Sequence, residues 1–369
     1  MGRRGGLAVY VTSHGFGHLN RTVAVLNRVP ADVAVDIHCH PNLFEAWRQR
    51  LVRDAGLHEH VSDSGAVNPP GDSAATDGPA SIAAARSIYE TSIGRVDAEA
   101  EALRASGAAA VLCDAPPLPL VAARRAGIPG FLLANFTWAD IYGPHARNLG
   151  GDAPAFVAEV HRAYQDATAL FRAEPALPME DVAPIIEVGM VCSAGVDRGA
   201  ELRGLLKLSS SDKLVYFYVG RYGQADMDWH RLAEFAGVHF VAFHPAPGHD
   251  LPNLHVVAPE HWTGADLAAS ADAMVVKAGY GTACEAMAAG TPMIYPPRVG
   301  FAEHEALDRA LTAWGGGVPT TEREFNELRL GRALDRAFSL KPGPPPFPAD
   351  GADRVAGHLT AVCRGETDR

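Results

Sequence analysis

The sequence predicts an α/β protein built from two open parallel-sheet domains. Apolar runs of about four to six residues alternate with longer helical patterns, which is typical of parallel βα units. At 369 residues the chain is too long for one average domain. The stretch 174–197 is rich in proline and glycine and separates two such series. We therefore predict domains over residues 1–195 and 196–345, followed by a C-terminal helix within 346–369.

The first series begins with the apolar run at residues 7–11, which is predicted to be a strand because a glycine-rich turn and a helix at 20–28 follow it. Further strands are predicted at 33–38, 109–113, 130–134 and 169–171. Helices are predicted at 46–54, 80–106 (as one or two), 121–126 and 155–167. Residues 62–78, rich in Gly, Pro, Asp and Ser, are predicted to be a long polar loop.

The second series repeats the same alternation. Strands are predicted at 214–219, 240–243, 255–257, 273–276 and 293–295. Helices are predicted at 201–206, 284–289, 303–313 and 324–338. The proline-rich stretch 342–348 then breaks the chain before a last helix at 353–363, which we expect to pack back on the first domain.

Composition excludes several classes of function. The 32 basic and 43 acidic residues give a net charge of −11, which disfavours a nucleic-acid or anionic-membrane partner. Five cysteines without a C-x-x-C spacing make neither a disulfide framework nor a zinc site. The apolar start at residues 7–11 is too short for a signal peptide, and no stretch approaches a membrane span. We expect a soluble cytoplasmic protein, as a monomer or homodimer.

The turn after the first strand carries two histidines, in the motif His14-Gly-Phe-Gly-His18. A histidine at the carboxyl edge of an open sheet is suited to take a proton from a hydroxyl near neutral pH. The alternatives are a polar turn that caps a helix and, less favoured, a metal site. The glycines make a continuous helix through both histidines improbable, and the Glu of H-E-x-x-H is absent.

Two glycine turns in the second half are candidates for a phosphate site. Gly220, Arg221 and Gly223 follow the strand at 214–219, although an ordinary turn explains them equally well. The stretch Lys277-Ala-Gly-Tyr-Gly-Thr-Ala-Cys-Glu285 combines a strand end, a glycine turn and a helix start, which directs backbone N–H groups at an anion. It is neither a G-x-G-x-x-G nor a P-loop motif, so it favours sugar-nucleotide chemistry.

Other polar and aromatic residues stand at predicted strand ends or helix starts. Glu285 could accept hydrogen bonds from a ribose diol, and Glu303 and His304 could reach sugar hydroxyls. Asp114 and the stretch Asn135-Phe-Thr-Trp138 follow two strands of the first domain, with Trp138 as an apolar platform for an acceptor.

Together these motifs resemble glycosyltransferases of the GT-B fold, in which two Rossmann-like domains face a cleft. The closest likeness is to the glycosyltransferase-like N-terminal domain of L-arabinokinases, and a more distant one is to the N-acetylglucosaminyltransferase of peptidoglycan synthesis. The kinase domain of arabinokinases has no counterpart here, so the resemblance implies sugar transfer and not sugar phosphorylation.

The resemblance implies a role for each motif. It makes the first domain the acceptor side and the second the donor side. His18 or His14 becomes the base. The implied acceptor-side residues are Phe16, Asp114, Asn135 and Trp138. The implied donor-side residues are Gly220, Arg221, Gly223, Glu260, His261, Lys277, Gly279, Tyr280, Gly281, Thr282, Glu285, Glu303 and His304. No metal or cofactor is implied, because backbone dipoles and a cation stabilise the leaving diphosphate.

We therefore expect a metal-independent inverting glycosyltransferase that uses a nucleoside-diphosphate sugar, most simply a UDP-sugar, and a small acceptor of secondary metabolism. The alternatives are a sugar-nucleotide 2-epimerase or hydrolase on the same fold, and a non-catalytic sugar-nucleotide-binding module.

Overall fold

The computed structural model describes residues 5–70, 75–220 and 227–366. The chain forms two compact units. Unit 1 comprises Met1–Val67, Thr76–Cys192 and Phe347–Arg369, and unit 2 comprises Asn68–Ala75 and Ser193–Pro346. Each unit contains one parallel sheet with helices, so the predicted α/β class is confirmed.

Unit 1 has a seven-stranded sheet of order β3-β2-β1-β4-β5-β6-β7, in which all neighbouring strands are parallel. The strands are β1 (Gly6–Val11), β2 (Val35–Cys39), β3 (Gly56–Glu59), β4 (Ala108–Asp114), β5 (Gly130–Ala134), β6 (Ala169–Ala173) and β7 (Ile185–Gly189). The chain builds outward from β1 to β3 and then returns to place β4 on the other side of β1. The carboxyl ends of β1 and β4 are therefore the switch point where open α/β sheets bind ligands.

Seven helices of unit 1 lie before Ser193, where the main part of unit 2 begins. They are α1 (Phe16–Leu26), α2 (Phe44–Arg50), α3 (Gly78–Ile93), α4 (Val96–Ser106), α5 (Leu118–Ala126), α6 (Trp138–Leu149) and α7 (Ala153–Tyr164). Capping chemistry sets several of these bounds. Asp77 accepts from the N–H of Ala80 at the start of α3, and Thr137 and Asp140 form a capping box on α6.

Unit 2 has a six-stranded parallel sheet of order β10-β9-β8-β11-β12-β13. The strands are β8 (Lys213–Tyr218), β9 (Val238–Ala242), β10 (Leu254–Val256), β11 (Ala273–Val276), β12 (Met293–Tyr295) and β13 (Gly317–Pro319). The helices are α8 (Gly199–Leu205), α9 (Gly264–Ser270), α10 (Tyr280–Ala289), α11 (Glu303–Trp314), α12 (Glu322–Asn326) and α13 (Gly331–Ser339). Here the order of strands reverses between β8 and β11, so their carboxyl ends form the switch point of this sheet.

The structure corrects several predicted elements. Residues 174–197 are not a plain connector, because β7 lies within them. The stretch that begins at Trp138 is the helix α6, and the helix predicted at 324–338 is divided into α12 and α13. Helix α10 begins at Tyr280 and not at 284, so the glycine turn before it is shorter than predicted.

The last helix, α14 (Gly351–Arg364), packs against α1 and against strands β1, β4 and β7 of unit 1. Its inward side chains, including Val355 and Leu359, are fully buried. The N–H of Gly351 donates to the carbonyl of Met190 (3.1 Å), which fixes the start of the helix on the end of the sheet.

The five cysteines are buried, and none of them forms a disulfide in the described part of the chain. Within the described ranges, no helix is long and apolar enough to span a bilayer.

We predict that Gly351→Ala destabilises unit 1 by about 1–3 kcal/mol, because overpacked side chains force backbone shifts. A Cβ at this position would lie 2.5 Å from the carbonyl oxygen of Met190 and 2.7 Å from that of Val188, and neither is a flexible side-chain end. Urea unfolding followed by tryptophan fluorescence measures the effect.

The matched control is Gly357→Ala in the same helix. A Cβ there meets none of the described residues within 4 Å. The substitution should therefore raise the free energy of unfolding by about 0.5–1 kcal/mol, because alanine has the higher helix propensity. Equal effects of the two substitutions would contradict the proposed packing of α14.

Candidate functional site

A histidine–carboxylate pair lies at the switch point of the unit 1 sheet. His18 is in the first turn of α1, directly after β1, and Asp114 is the last residue of β4. His18 Nδ1 and Asp114 Oδ1 are 2.8 Å apart. Both residues are buried, and the Asp114 side chain has no exposed surface.

Asp114 is held by three further donors. Arg21, one turn along α1, donates from Nε to Oδ2 (3.0 Å) and from Nη2 to Oδ1 (2.5 Å). Thr22 Oγ1 donates to Oδ2 (2.8 Å). The remaining arm of the Arg21 guanidinium donates from Nη1 to Asn135 Oδ1 (2.7 Å). A two-pronged guanidinium contact of this kind fixes the plane of the carboxylate.

Two opposing effects act on the pKa of Asp114. Burial alone would raise it, but the charges and hydrogen bonds of Arg21 and His18 lower it to about 2. The carboxylate is therefore ionised at neutral pH, and we assign the shared proton to His18 Nδ1. The assignment leaves Nε2 as the nitrogen able to accept a proton.

His14 has a different environment. Its Nδ1 accepts a hydrogen bond from the backbone N–H of Ala66 (3.2 Å), and its ring meets the edge of Trp138 with centroids 5.2 Å apart. Nδ1 of His18 thus faces the Asp114 carboxylate, whereas Nδ1 of His14 faces a peptide N–H. The geometry distinguishes two histidines that the sequence left equivalent.

Trp138 lies behind both histidines and is only 1% exposed. Its ring centroid is 6.1 Å from that of His18, and its Nε1 donates to Asp63 Oδ2 (2.6 Å). This burial leaves almost no ring surface for the acceptor platform that the sequence suggested. Burial also raises the pKa of Asp63 to about 6, with Trp138 and Thr12 acting in the opposite direction through hydrogen bonds.

The turn after β4 is strained and held in place. Ala115 has φ of 83°, a conformation that residues with a side chain rarely adopt. The hydroxyl of Tyr164 donates to the carbonyl of Ala115 (2.6 Å) and accepts from the N–H of Trp138 (3.1 Å). Tyr164 therefore connects the turn that carries Asp114 to the start of α6.

One predicted acceptor-side residue has a different neighbour. Phe16 begins α1, and its ring lies 5.5 Å from the guanidinium carbon of Arg50 at the end of α2. The structure brings together four of the predicted residues, His18, Asp114, Asn135 and Trp138. The described contact of Phe16 is instead with Arg50 of α2.

The predicted phosphate loops of unit 2 follow adjacent strands. Gly220 comes two residues after β8 with φ of 94°, and a Cβ on it would meet none of the described residues within 4 Å. Arg221 and Gly223 lie outside the described residues. The N–H of Lys277 donates to the carbonyl of Tyr218 (3.1 Å), which extends the β8–β11 pairing to the start of the second loop.

The start of α10 is organised by a threonine. The N–H of the N-cap residue Gly279 donates to Thr282 Oγ1 (3.2 Å), and that hydroxyl lies 3.0 Å from the Gly279 carbonyl. Tyr280 is buried in the first turn, and a Cβ on Gly281 would meet nothing within 4 Å. A helix start of this kind, with open space at Gly281, is suited to an anion.

Glu285 lies in the second turn of α10, close to the start of α9. A Cβ on Gly264 would lie 3.5 Å from Glu285 Oε2, which is ordinary contact, and 3.2 Å from the Tyr216 hydroxyl, which it would crowd. Burial first, and then the charge of Asp266, raises the pKa of Glu285 to about 8. The carboxyl group is therefore largely protonated at neutral pH.

Glu303 is 4% exposed and pairs with Arg298, whose Nη1 is 2.9 Å from Glu303 Oε2. Arg298 also stacks on Phe301, with its guanidinium carbon 3.9 Å from the ring centroid. The pair fixes the loop between β12 and α11. Burial lowers the pKa of the adjacent His304, so this imidazole is neutral at pH 7.

Glu260 and His261 are exposed on the loop before α9. The carbonyl of His261 accepts from Arg198 Nη1 (2.6 Å), and the Arg198 guanidinium stacks on Trp262 at 3.9 Å.

Sequence reasoning gave no role to several residues that organise these sites, namely Arg21, Thr22, Asp63, Tyr164, Tyr216, Gly264 and Arg298. Arg21 could have been found, since it lies three residues after His18 and hence on the same face of a helix. Asp63 had no such signal, because it lies in a long polar loop. Among the described residues, no group of three or more His, Cys, Asp or Glu is arranged to hold a metal ion.

Comparison with known proteins supports this architecture. No family model matches the chain. The L-arabinokinase of Arabidopsis thaliana is 27% identical over 347 residues, which cover 91% of this chain. The chain spans about a third (32%) of the length of that curated relative. The resemblance to L-arabinokinase predicted from the motifs is thus confirmed at the level of sequence similarity.

Solved structures decide the fold. The calicheamicin glycosyltransferase CalG4 matches with a TM-score of 0.62 and 14% identity over 98% of this chain and 95% of its own. UGT2 of Phytolacca americana, solved with UDP-2-fluoro-glucose and pterostilbene, matches with a TM-score of 0.61 and 14% identity over 97% and 94%. The chain has the GT-B fold.

A third GT-B neighbour is the glycosyltransferase VinC in complex with dTDP, with a TM-score of 0.54 and 16% identity over 97% of this chain and 95% of its own. At such identities the likeness concerns the fold alone. The chemistry of this GT-B chain has to be argued from its own residues.

We predict that the stabilising contribution of Asp114 is lost in acid. Its pKa of about 2 in the folded state lies below the ordinary aspartate pKa of 3.8. The ionised group therefore contributes about 2 kcal/mol to the free energy of unfolding above about pH 4, and this contribution is lost as the pH approaches 2. The difference in unfolding free energy between the parent and Asp114→Asn should therefore be smaller at about pH 3 than at about pH 5.

Urea unfolding at both pH values measures the difference. The control is Asp353→Asn, which removes an exposed carboxylate paired with Arg28 and should change stability little at either pH. If the difference in unfolding free energy between the parent and Asp114→Asn is as large at about pH 3 as at about pH 5, the proposed ionisation of Asp114 is wrong.

Proposed function

We propose that the protein is a glycosyltransferase that moves a sugar from a nucleoside diphosphate to a hydroxyl or amine of a small acceptor, with inversion at the anomeric carbon. One observation carries the proposal. The buried His18–Asp114 pair stands at the carboxyl ends of β1 and β4, the switch point of the first sheet in a chain with the GT-B fold.

In the proposed reaction, His18 Nε2 takes the proton of the acceptor hydroxyl or amine. The freed electron pair attacks the anomeric carbon, the bond from that carbon to the diphosphate oxygen breaks, and its electrons leave with the diphosphate. Asp114 stabilises the imidazolium that forms and keeps the proton-accepting nitrogen correctly oriented. A single displacement of this kind inverts the configuration.

We assign donor binding to unit 2. Gly220 and the start of α10 follow the two strands at the second switch point, where backbone N–H groups of the first helical turn and the helix dipole would stabilise the diphosphate without a metal ion. We assign Glu285 to the ribose hydroxyls, and Glu303 and His304 to the rim of the sugar site. UGT2 was solved with UDP-2-fluoro-glucose and VinC with dTDP, which supports a nucleoside-diphosphate donor here, and we propose UDP as the simplest.

The structural neighbours also support a small acceptor, since CalG4 is the calicheamicin glycosyltransferase and UGT2 was solved with pterostilbene. We propose that this protein acts in secondary metabolism, on an acceptor bound by unit 1.

We predict that His18→Ala lowers turnover by about 10²–10⁴-fold, the usual contribution of a general base. His14→Ala is the matched comparison and should lose less than about tenfold, because its Nδ1 is bound to a backbone N–H. Release of nucleoside diphosphate from a panel of UDP- and dTDP-sugars, with mixed small acceptors, measures turnover.

A thermal-shift titration with UDP controls for folding, since a ligand of the native state raises its melting temperature by mass action. His18→Ala should keep the parent's shift. Unchanged turnover in the His14/His18 double variant would overturn the base assignment. A sugar nucleotide altered without any acceptor would instead point to epimerase or hydrolase activity.

We predict that Glu285 makes nucleotide binding depend on pH. Ribose hydroxyls donate to a carboxylate better than to a neutral acid, and the pKa of Glu285 is about 8. The affinity for UDP should therefore rise severalfold between about pH 7 and pH 9 in the parent and stay flat in Glu285→Gln.

Isothermal calorimetry at both pH values provides the measurement, with inorganic pyrophosphate as the matched ligand that lacks a ribose. The same rise in parent and variant would exclude Glu285 from the ribose site.

A further inference from the structure

Unit 1 contains a cavity of about 430 Å³ between the end of β3 and the helices α4 and α5. This volume lies in the range of sites that hold one small organic ligand. The walls come from the loop after β3, the α3–α4 junction and the first turns of α5. They consist of Glu59, His60, Val61, Ser62, Ser92, Arg95, Val96, Glu99, Leu118, Pro119 and Ala122.

Two wall residues carry buried polar atoms that have no hydrogen-bond partner within the described part of the chain, His60 Nε2 and Ser62 Oγ. Ser62 as a whole is only 5% exposed. Leaving a buried polar atom unpaired is unfavourable, so native structures rarely keep one without a reason. A ligand hydroxyl that pairs with these atoms would remove that cost.

A fixed carboxylate faces the same space. The Tyr10 hydroxyl donates to Glu99 Oε1, and Glu99 Oε2 is 3.9 Å from His60 Nδ1. Tyr10 in turn stacks on His38 with ring centroids 4.4 Å apart, which fixes it on the sheet. Glu99 is therefore an acceptor whose position is set before any ligand arrives.

The charges of the walls exclude an anionic ligand. Glu59 and Glu99 supply two carboxylates against the single guanidinium of Arg95. Burial lowers the pKa of His60, so its imidazole adds no positive charge at neutral pH. The balance favours a neutral ligand or one with an amine.

The apolar part of the wall is aliphatic, from Val61, Val96, Leu118, Pro119 and Ala122. Apart from the His60 imidazole, none of the lining residues offers a ring on which a flat aromatic compound could stack. Spaced donors and acceptors beside aliphatic patches suit a compound with several hydroxyl groups on a compact carbon ring.

The cavity shares two chain segments with the His18–Asp114 pair. Ser62 precedes Asp63, which binds the Trp138 ring beside His18. Leu118 begins α5 immediately after the strained turn that follows Asp114. A ligand in the cavity is thus held by the same segments that position the proposed base.

We propose that this cavity binds the acceptor, and that the acceptor is a compact polyhydroxylated compound, neutral or bearing an amine, of the sugar or cyclitol class. Its identification as the acceptor rests on the proposed transferase function. Ser62, His60 and Glu99 would pair with its hydroxyl or amine groups.

The first test measures binding to the full chain by saturation-transfer NMR and calorimetry. The probes are methyl glucoside, glucosamine, glucose 6-phosphate and 2-naphthol. We expect binding of the first two, at least tenfold weaker binding of the phosphate, and no saturable binding of the naphthol. Preferential binding of the phosphate or the naphthol would overturn the assigned ligand class.

Variants locate the site. Ala122→Phe fills the cavity and should abolish sugar binding, whereas Ser62→Ala should weaken it about three- to tenfold. Leu149→Phe, at a position that is 53% exposed on α6, is the matched control and should bind as the parent does. If Ala122→Phe fails to fold, the sugar affinity of Ser62→Ala alone tests whether the cavity is the binding site. Parent-like affinity in Ser62→Ala and in any folded Ala122→Phe would refute the site.

Glu99→Gln separates the two ligand types, because it removes the charge while keeping an acceptor for Tyr10. This substitution should weaken the binding of glucosamine at least tenfold and the binding of methyl glucoside much less. Equal losses of affinity for the two probes would contradict the role of Glu99. UDP binding and nucleotide release are measured in parallel. Sugar binding without transfer would count against the transferase, whereas transfer without sugar binding in this cavity would count against the present inference.

Discussion

The buried carboxylate of Asp114 is the constraint on which the rest of unit 1 depends. A fully desolvated charge survives only with partners, and Arg21, Thr22 and His18 supply them. Removing the carboxylate would take away the ion-pair partner of the buried Arg21 guanidinium. The pairing fixes α1 against β4 and, through Asn135, against the end of β5. The same contacts orient the imidazole, so stability and chemistry share one set of bonds.

A buried ion pair also holds a loop of unit 2 in place. The pair of Arg298 and Glu303 is almost completely buried and connects the loop after β12 to the first turn of α11. Thr282 closes the start of α10, while Glu285 faces the start of α9. These contacts hold the loops at the carboxyl ends of β11 and β12 and the start of α9, where we propose that backbone N–H groups meet the donor diphosphate.

Much of the fold could be predicted from the sequence, because buried parallel strands are continuous apolar runs. Residues 130–134 and 273–276 were predicted with the observed bounds of β5 and β11. Strand β7 was missed because its Ile-Ile-Glu-Val core lies among prolines and glycines. The candidate site was predicted in part: His18, Asp114, Asn135 and Trp138 were named, but nothing local in the sequence shows that they are in contact.

By itself the sequence determined two α/β domains, the strand ends that carry polar motifs and the resemblance to GT-B enzymes, since these depend on local pattern and order along the chain. Only the tertiary structure distinguished the environments of the two histidines. His18 meets a carboxylate 96 residues away, whereas His14 meets the backbone of Ala66. It also moved Trp138 from the surface to the interior and placed Asp63 beside it. Such contacts depend on how distant segments pack, and no periodicity of the chain encodes them.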